Sequence, residues 1–135
     1  MPTTITQAGP WNMTVFAYGE DDIDNPFAAY SQDDVSRLPF GATELDRDGK
    51  VVSHQDTEPD DGSGRRGSIV GRDFFGELAR WPVVADGFRA GVAEGNLNLV
   101  FDCAVPRLTY KLRVHLKISP ILGTYWVFVK KLKRQ

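Results

Sequence analysis

The feature that most constrains the fold is a two-residue alternation of apolar and polar side chains in the last third of the chain. Apolar residues occupy the odd positions of residues 97–105 and the even positions of residues 108–118, where Arg, Lys, Thr and His fill the positions between. Successive side chains of a β-strand point to opposite sides, so this period predicts two long antiparallel strands. One face of the sheet is expected to be buried and the other to face water.

Three more strands are predicted from shorter runs. Residues 40–45 and 50–54 flank the turn Asp46-Arg-Asp-Gly49, and an Asp-Gly step between two strand-like runs favours a hairpin. Residues 125–129 follow a turn at residues 120–123 and carry bulky side chains on both sides, which is typical of a central strand. The sequence thus predicts one sheet of about five antiparallel strands.

The segment between the hairpin and the alternating strands is predicted to contain helices. Residues 55–67 are polar and glycine-rich and are expected to form a solvent-facing loop. A short helix is expected to end at Leu78, and residues 85–94 place Phe88 and Val92 on one face of a longer helix. This order of elements predicts an α+β domain with its helices on one side of the sheet.

The N-terminal part is predicted to be less regular. Residues 1–14 are mostly polar and are expected to be a flexible lead-in. Residues 15–39 are acidic and sparsely apolar, and we expect them to form an N-terminal cap of short helical turns, one of them at residues 15–18. The cap and a core of residues 40–135 are expected to form a single domain, residues 15–135.

Charge is divided unevenly along the chain. The net charge is −2, yet residues 1–62 hold 13 acidic and 3 basic residues, whereas residues 63–135 hold 5 acidic and 13 basic residues. The basic C-terminal end is a candidate for binding nucleic acid or an anionic membrane. We favour the alternative that the two parts face each other within one fold or are solvated, because nucleic-acid-binding domains usually carry a basic net charge. No nucleic-acid or membrane partner is therefore expected.

Other classes of protein are excluded by composition. The one cysteine, Cys103, rules out a disulfide framework and a cysteine-rich zinc site, and the two histidines give no metal site. No run approaches the roughly 20 apolar residues that span a membrane. The N-terminus lacks the basic region and apolar run of a secretory signal, so a cytoplasmic protein is expected.

Six segments carry a family resemblance. They occur in the family's order, at nearly its spacing, from about residue 15 to residue 132. The segments are Tyr18-Gly-Glu-Asp-Asp-Ile-Asp-Asn25, Phe40-Gly-Ala-Thr-Glu-Leu-Asp-Arg-Asp-Gly49, Gly71-Arg-Asp-Phe-Phe75, Gly91-Val-Ala-Glu-Gly-Asn-Leu-Asn98, Val114-His-Leu-Lys117 and Tyr125-Trp-Val-Phe-Val-Lys130. On these segments the chain resembles the photoactive yellow protein family, which implies a PAS fold with an N-terminal cap and a core pocket.

The resemblance also implies an attachment chemistry that this chain lacks. Members of the family bind p-coumaric acid as a thioester on a cysteine shortly after the Gly-x-x-Phe-Phe segment, and Trp81 stands at that position here. An indole cannot form a thioester, so we expect no covalent cofactor, only an aromatic or acyl ligand bound non-covalently. Trp81 then either fills the vacated space or forms a stacking wall for a planar ligand.

Two polar residues are the candidate acid and base of the pocket. The resemblance places His54 at the family's chromophore-binding tyrosine and Glu58 at its buried glutamic acid. Burial raises the pKa of a carboxyl and a histidine titrates near neutral pH, so the pair is suited to proton transfer. The alternative is that His54 faces solvent and Glu58 is one acid of a polar loop. The rest of the expected pocket lining is Phe74, Trp81, Phe101, Cys103 and Val105.

Two further residues have side chains that are capable of chemistry. Cys103 shares the apolar face with Phe101 and Val105, which makes it an alternative attachment point, although a buried cysteine more often fills a core. His115 lies on the polar face of its strand and is expected at the surface.

Three functions are compatible with these residues. The first is a sensing module that binds a planar aromatic or unsaturated acyl ligand non-covalently and signals through a partner protein. The second is a cofactor-independent enzyme, a trans/cis isomerase of an α,β-unsaturated thioester brought by an acidic carrier protein, with Glu58 and His54 as acid and base. The third is a protein-interaction domain that has lost its ligand.

Overall fold

The fold is α+β, as the order of sequence patterns predicts. A computed structural model describes residues 3–7, 13–56, 69–106, 108–119, 121 and 123–133. Most of the predicted loop at residues 55–67, together with Glu58, lies outside these residues. No helix in this part of the chain is long and apolar enough to cross a membrane.

One sheet of seven strands organises the described residues, in the order β1-β2-β5-β6-β7-β3-β4. Neighbouring strands are antiparallel except β2 and β5, which are parallel. The strands are β1 Thr3–Gln7, β2 Met13–Tyr18, β3 Gly41–Leu45, β4 Val51–Asp56, β5 Asn98–Ala104, β6 Tyr110–Ile118 and β7 Tyr125–Lys133. The predicted hairpin, the two alternating strands and the central position of β7 are all confirmed.

The sheet has more than the predicted five or so strands because the N-terminal segment adds two. The prediction of helical turns at residues 15–18 is wrong, because these residues belong to β2, which pairs with the edge of β5. The Phe16 ring stacks on Phe101 with ring centroids 5.2 Å apart. The predicted lead-in likewise contains the strand Thr3–Gln7. Aromatic and β-branched residues favour strands only when an edge is available to pair with, and the edge here lies about 80 residues later in the chain.

Three helical elements lie between the strands along the chain. The α-helix α1, Gln32–Ser36, lies between β2 and β3, and a π-helical turn, Phe74–Leu78, and the longer α-helix α2, Pro82–Glu94, lie between β4 and β5. The predicted long helix is confirmed but begins three residues earlier than residue 85, at Pro82, because proline is tolerated at the first helical position. The helix ends at Glu94, and the capping residue Gly95 has a φ of 71°, which is left-handed and favours glycine.

Helix α2 lies directly on β5. A Cβ atom at Gly87 would lie 2.9 Å from Leu99 Cδ1, and one at Gly91 would overlap Leu97 Cδ1, so two glycines one helical turn apart permit the close approach. We call the side of the sheet under α2 the inner face and the opposite side the outer face. The inner face carries most of the buried core, including Phe101, Leu112, Val114, Leu116, Val127 and Val129.

Candidate functional site

The predicted pocket residue His54 lies opposite Thr43 in the β3–β4 hairpin. Thr43 is 0% exposed, and its Oγ1 lies 2.8 Å from His54 Nδ1. Thr43 alternates with the buried residues Gly41 and Leu45, so the pair belongs to the inner face. His54 itself is half-buried, and its ring is hydrogen-bonded to this core hydroxyl.

A β-bulge decides the orientation of His54. Leu45 pairs with Val51, and a regular continuation of that register would place His54 opposite Ala42, on the outer face. The register shifts by one residue after Leu45, which leaves Val52 unpaired in the strand and brings His54 opposite Thr43. The polar partner Thr43 was not predicted, because the hairpin turn alone does not reveal this shift.

Glu58, the second member of the predicted acid–base pair, lies outside the described residues. Its role in the pocket stays a prediction.

Trp81 lies at the start of α2 and is 1% exposed. Its Nε1 donates a hydrogen bond of 2.8 Å to the hydroxyl of Tyr30, which belongs to the N-terminal cap. Its ring makes edge contacts with Phe27 and Phe74, with centroids 5.0 and 6.2 Å away. Burial raises the pKa of the Tyr30 hydroxyl, which favours its protonated form. A polar atom satisfied inside an aromatic cluster is what a space-filling tryptophan needs.

The other predicted lining residues lie in the same core cluster as Trp81. Phe74, Phe101, Cys103 and Val105 are all at most 2% exposed. The structure thus places the apolar members of the predicted site in one core. Two partners of that core, Phe16 and Tyr30, come from the N-terminal segment and were not among the predicted residues.

Cys103 is fully buried within β5, beside Tyr18 of β2 and opposite Leu112 of β6. Burial, with a smaller effect of Asp102, raises the pKa of its thiol well above the usual range. The thiolate is the form that attacks an activated acyl group, and this environment disfavours it. Because Cys103 is the one cysteine of the chain, the residues present do not fit the covalent cofactor implied by the resemblance.

His115 lies on the outer face, as predicted. Its Nε2 is 2.7 Å from Asn98 Oδ1, and its ring lies 5.9 Å from that of Phe128. Burial, followed by the nearby cations Lys117, Arg113 and Lys130, lowers the pKa of this histidine. Within the residues that the structure describes, no group of His, Cys, Asp and Glu side chains is placed to bind a metal ion.

A surface cleft of about 550 Å³ lies between α1 and the π-helical turn, beside Tyr30. Its rim carries Asp34 and Glu77 as well as Arg37 and Arg80. Because two acidic and two basic side chains line the cleft, its charge does not indicate a particular class of ligand.

Known proteins similar to this chain identify its family. The photoactive yellow protein of Halochromatium salexigens is 34% identical over 125 residues, which cover 89% of this chain and all of that protein. The photoactive yellow protein of Rhodothalassium salexigens is 30% identical over the same shares. The chain belongs to the photoactive yellow protein family. No model of a protein family matches it.

A solved structure supports the fold expected of this family. The photoactive yellow protein domain of the sensor histidine kinase Ppr from Rhodospirillum centenum matches with a TM-score of 0.51 and 25% identity, covering 78% of this chain and 96% of that one. The predicted PAS fold is confirmed, and photoactive-yellow-protein-like PAS domains are generally sensory modules. In this member of the family Trp81 is buried in the core, and Cys103 is buried within β5.

Proposed function

We propose that this PAS module senses a planar aromatic or unsaturated acyl molecule, which binds reversibly with its polar end at His54. The observation that carries the proposal is the hydrogen-bonded pair of Thr43 and His54 on an inner face that is lined mostly by apolar residues. Ligand pockets combine an apolar lining with a few placed polar groups, and this pair is such a group. Glu58, which follows β4, would complete the polar end.

Reversible binding follows from the state of the thiol. Cys103 is buried, and its raised pKa makes it a poor nucleophile, so a ligand would be held by packing and hydrogen bonds. A planar ligand would pack against the aromatic cluster around Trp81.

The output of the sensor would pass through the N-terminal cap. The Trp81–Tyr30 hydrogen bond joins the core to the cap, and the Asn25 side chain donates to the carbonyl of Ala104 at the end of β5. A ligand that moves the Trp81 ring would break the first bond and loosen the cap. A partner protein that binds the loosened cap would then read the ligand state.

The test begins with protein purified from the cells that produce it. We expect denaturation to release a small molecule that absorbs in the near ultraviolet or visible range, with no covalent adduct in the denatured mass. Titration of the emptied protein with p-coumaric acid should give saturable binding. His54→Ala should weaken that binding at least roughly tenfold, because it removes a hydrogen bond made in an apolar site.

Two matched variants serve as controls. His115→Ala removes the other histidine of the chain, on the outer face, and should leave binding unchanged. Cys103→Ala should retain the ligand if attachment is non-covalent. A covalent adduct on Cys103 would contradict the proposal. If no small molecule is released and p-coumaric acid does not bind at concentrations up to about 1 mM, the results favour a ligand-free interaction domain.

The isomerase alternative makes a different prediction on the same protein. Incubation with a p-coumaroyl thioester should then give many equivalents of the cis product per chain, and His54→Ala should abolish turnover. Such turnover would replace the sensor proposal.

A further inference from the structure

An acidic loop, residues 19–24, follows β2 within the N-terminal cap. Ile23 at its tip is 95% exposed and is flanked by Glu20, Asp21, Asp22 and Asp24. Single exposed apolar side chains are common on protein surfaces, so this residue alone defines no interface. The loop is a candidate for a protein contact because hydrogen bonds hold it in place and because another surface of the same chain is complementary to it.

The acidic loop is held rigidly by hydrogen bonds. The Gly19 N–H donates to Asp22 Oδ2 at 2.7 Å, and the Asp22 N–H donates to the Gly19 carbonyl at 3.2 Å. The buried side chain of Asn25 donates to the carbonyls of Gly19 and Ala104, at 3.1 and 2.7 Å. A loop fixed in this way loses little conformational entropy when it binds.

The outer face of the sheet offers an aromatic surface. Trp126 and Phe128 of β7 stack with ring centroids 6.0 Å apart and planes 13° from parallel, and both are half-buried. His115 of β6 extends this surface across to the neighbouring strand. A flat, partly exposed aromatic area of this kind is suited to cover a projecting aliphatic side chain.

Cations surround the aromatic surface. Lys117 lies directly opposite Trp126 in the β6–β7 pairing, and Lys130 lies opposite Arg113. The side chains of both lysines are exposed. These three cations contribute to the lowered pKa of His115, after its burial, which agrees with a positive potential on this face.

Two carboxylates of the outer face, Asp102 and Glu44, have partners within the described residues. Asp102 accepts two hydrogen bonds from Arg113, at 2.6 and 2.9 Å. Glu44 accepts from Ser53 and Thr124, at 2.8 and 2.6 Å. Because Arg113 is paired with Asp102, the positive charge of this face comes from Lys117 and Lys130.

We propose that the acidic loop of one copy of this chain docks on the outer face of a second copy. Ile23 would cover Trp126 and Phe128, and Asp21 and Asp24 would lie against Lys117 and Lys130. Charge complementarity favours a second copy, because residues 19–24 hold four carboxylates, whereas the outer face presents Lys117 and Lys130. Loop and face are different patches, so the contact is head-to-tail and each pair leaves one loop and one face for further copies. This inference is independent of the ligand proposal.

Sedimentation of the full chain at graded concentrations tests the contact. We expect self-association at low salt that weakens at least roughly tenfold between about 50 and about 500 mM NaCl, because salt screens exposed charges. Ile23→Ser and Lys130→Glu should each weaken it at least roughly tenfold. Ile121→Ser, at an isoleucine that is 90% exposed on another turn, and Lys50→Glu, at another exposed lysine, are the matched controls and should change nothing.

A mixing experiment tests the head-to-tail geometry. A variant with a broken loop, Ile23→Ser with Asp24→Lys, and a variant with a broken face, Lys117→Glu with Lys130→Glu, should each be monomeric. Mixed in equal amounts, they should form a one-to-one pair and grow no further, because one intact face meets one intact loop. Unchanged unfolding curves would show that these surface changes leave the fold intact.

Several outcomes would overturn the inference. These are a wild-type chain that stays monomeric up to about 1 mM at low salt, self-association that survives the loop and face variants, and a mixture that forms no pair. Binding of a single-stranded oligonucleotide to the outer face of a monomeric wild type would assign the face to a different partner and would also overturn it.

Discussion

The two histidines of this chain lie on opposite faces of one sheet, and their surroundings differ in kind. His54 is hydrogen-bonded on the inner face to Thr43, a core residue that is fully buried. His115 lies on the outer face beside Asn98 and Phe128, with three cations nearby. Residue type alone therefore says little about what a strand histidine does. The face it occupies, which the pairing register sets, decides whether it lies against the buried core or on the partly exposed side of the sheet.

The same contrast separates two tryptophans. Trp81 is packed among core aromatics with its N–H bonded to Tyr30, whereas Trp126 is half-buried on the outer face. We expect Trp81→Ala to cost about 3–5 kcal/mol of unfolding free energy, because it leaves a large cavity and an unpaired hydroxyl, and Trp126→Ala to cost no more than about 1–2 kcal/mol. Urea unfolding of both variants measures the difference. Equal losses would mean that the outer face is packed as tightly as the inner one.

Two threonines allow the inner and outer faces to be compared with a substitution that preserves the shape of the side chain, Thr to Val. Thr43→Val removes the buried hydroxyl partner of His54, so we expect a loss of about 1–3 kcal/mol of unfolding free energy. Thr124→Val removes a hydroxyl that donates to Glu44 on the outer face, where water can replace it, so the loss should be about 1 kcal/mol or less. Chemical unfolding of the two variants side by side makes the measurement. A larger loss for Thr124→Val would reverse the assignment of the buried polar pair.

The smallest effect concerns the pH dependence of stability. Burial and neighbouring cations lower the pKa of His115 in the folded protein, whereas the pKa of a histidine in an unfolded chain is about 6.5. As the pH falls through that value, the unfolded chain takes up the proton first, so this residue makes the protein less stable in acid. His115→Gln should reduce the loss of unfolding free energy between about pH 7.5 and about pH 5.5. If the stability of His115→Gln depends on pH as that of the wild type does, burial and the neighbouring cations do not lower the pKa of this histidine.

Most of the core fold was predictable from local patterns. The period-two runs of β5 and β6 and the Asp-Gly hairpin are each specified by neighbouring residues. The end of α2 at Gly95 was predicted for the same reason. Strand β2 was missed because its partner, the edge of β5, lies far away in sequence.

The candidate site was only partly predictable. Strand alternation placed Phe101, Cys103 and Val105 together in the core, and the structure confirms their burial. Thr43 was missed because one bulge residue, Val52, shifts the register of the hairpin. Tyr30 was missed because its hydrogen bond to Trp81 joins residues 51 positions apart.

The class of fold, the family and the presence of a single cysteine could all be read from the sequence. Those properties depend on local period, on motifs in order and on residue identity. The face that His54 occupies, the N-terminal strands that extend the sheet and the position of Cys103 beside Tyr18 became known only from the three-dimensional structure. Each of these depends on pairing between distant segments, where a shift of one residue moves a side chain to the other face.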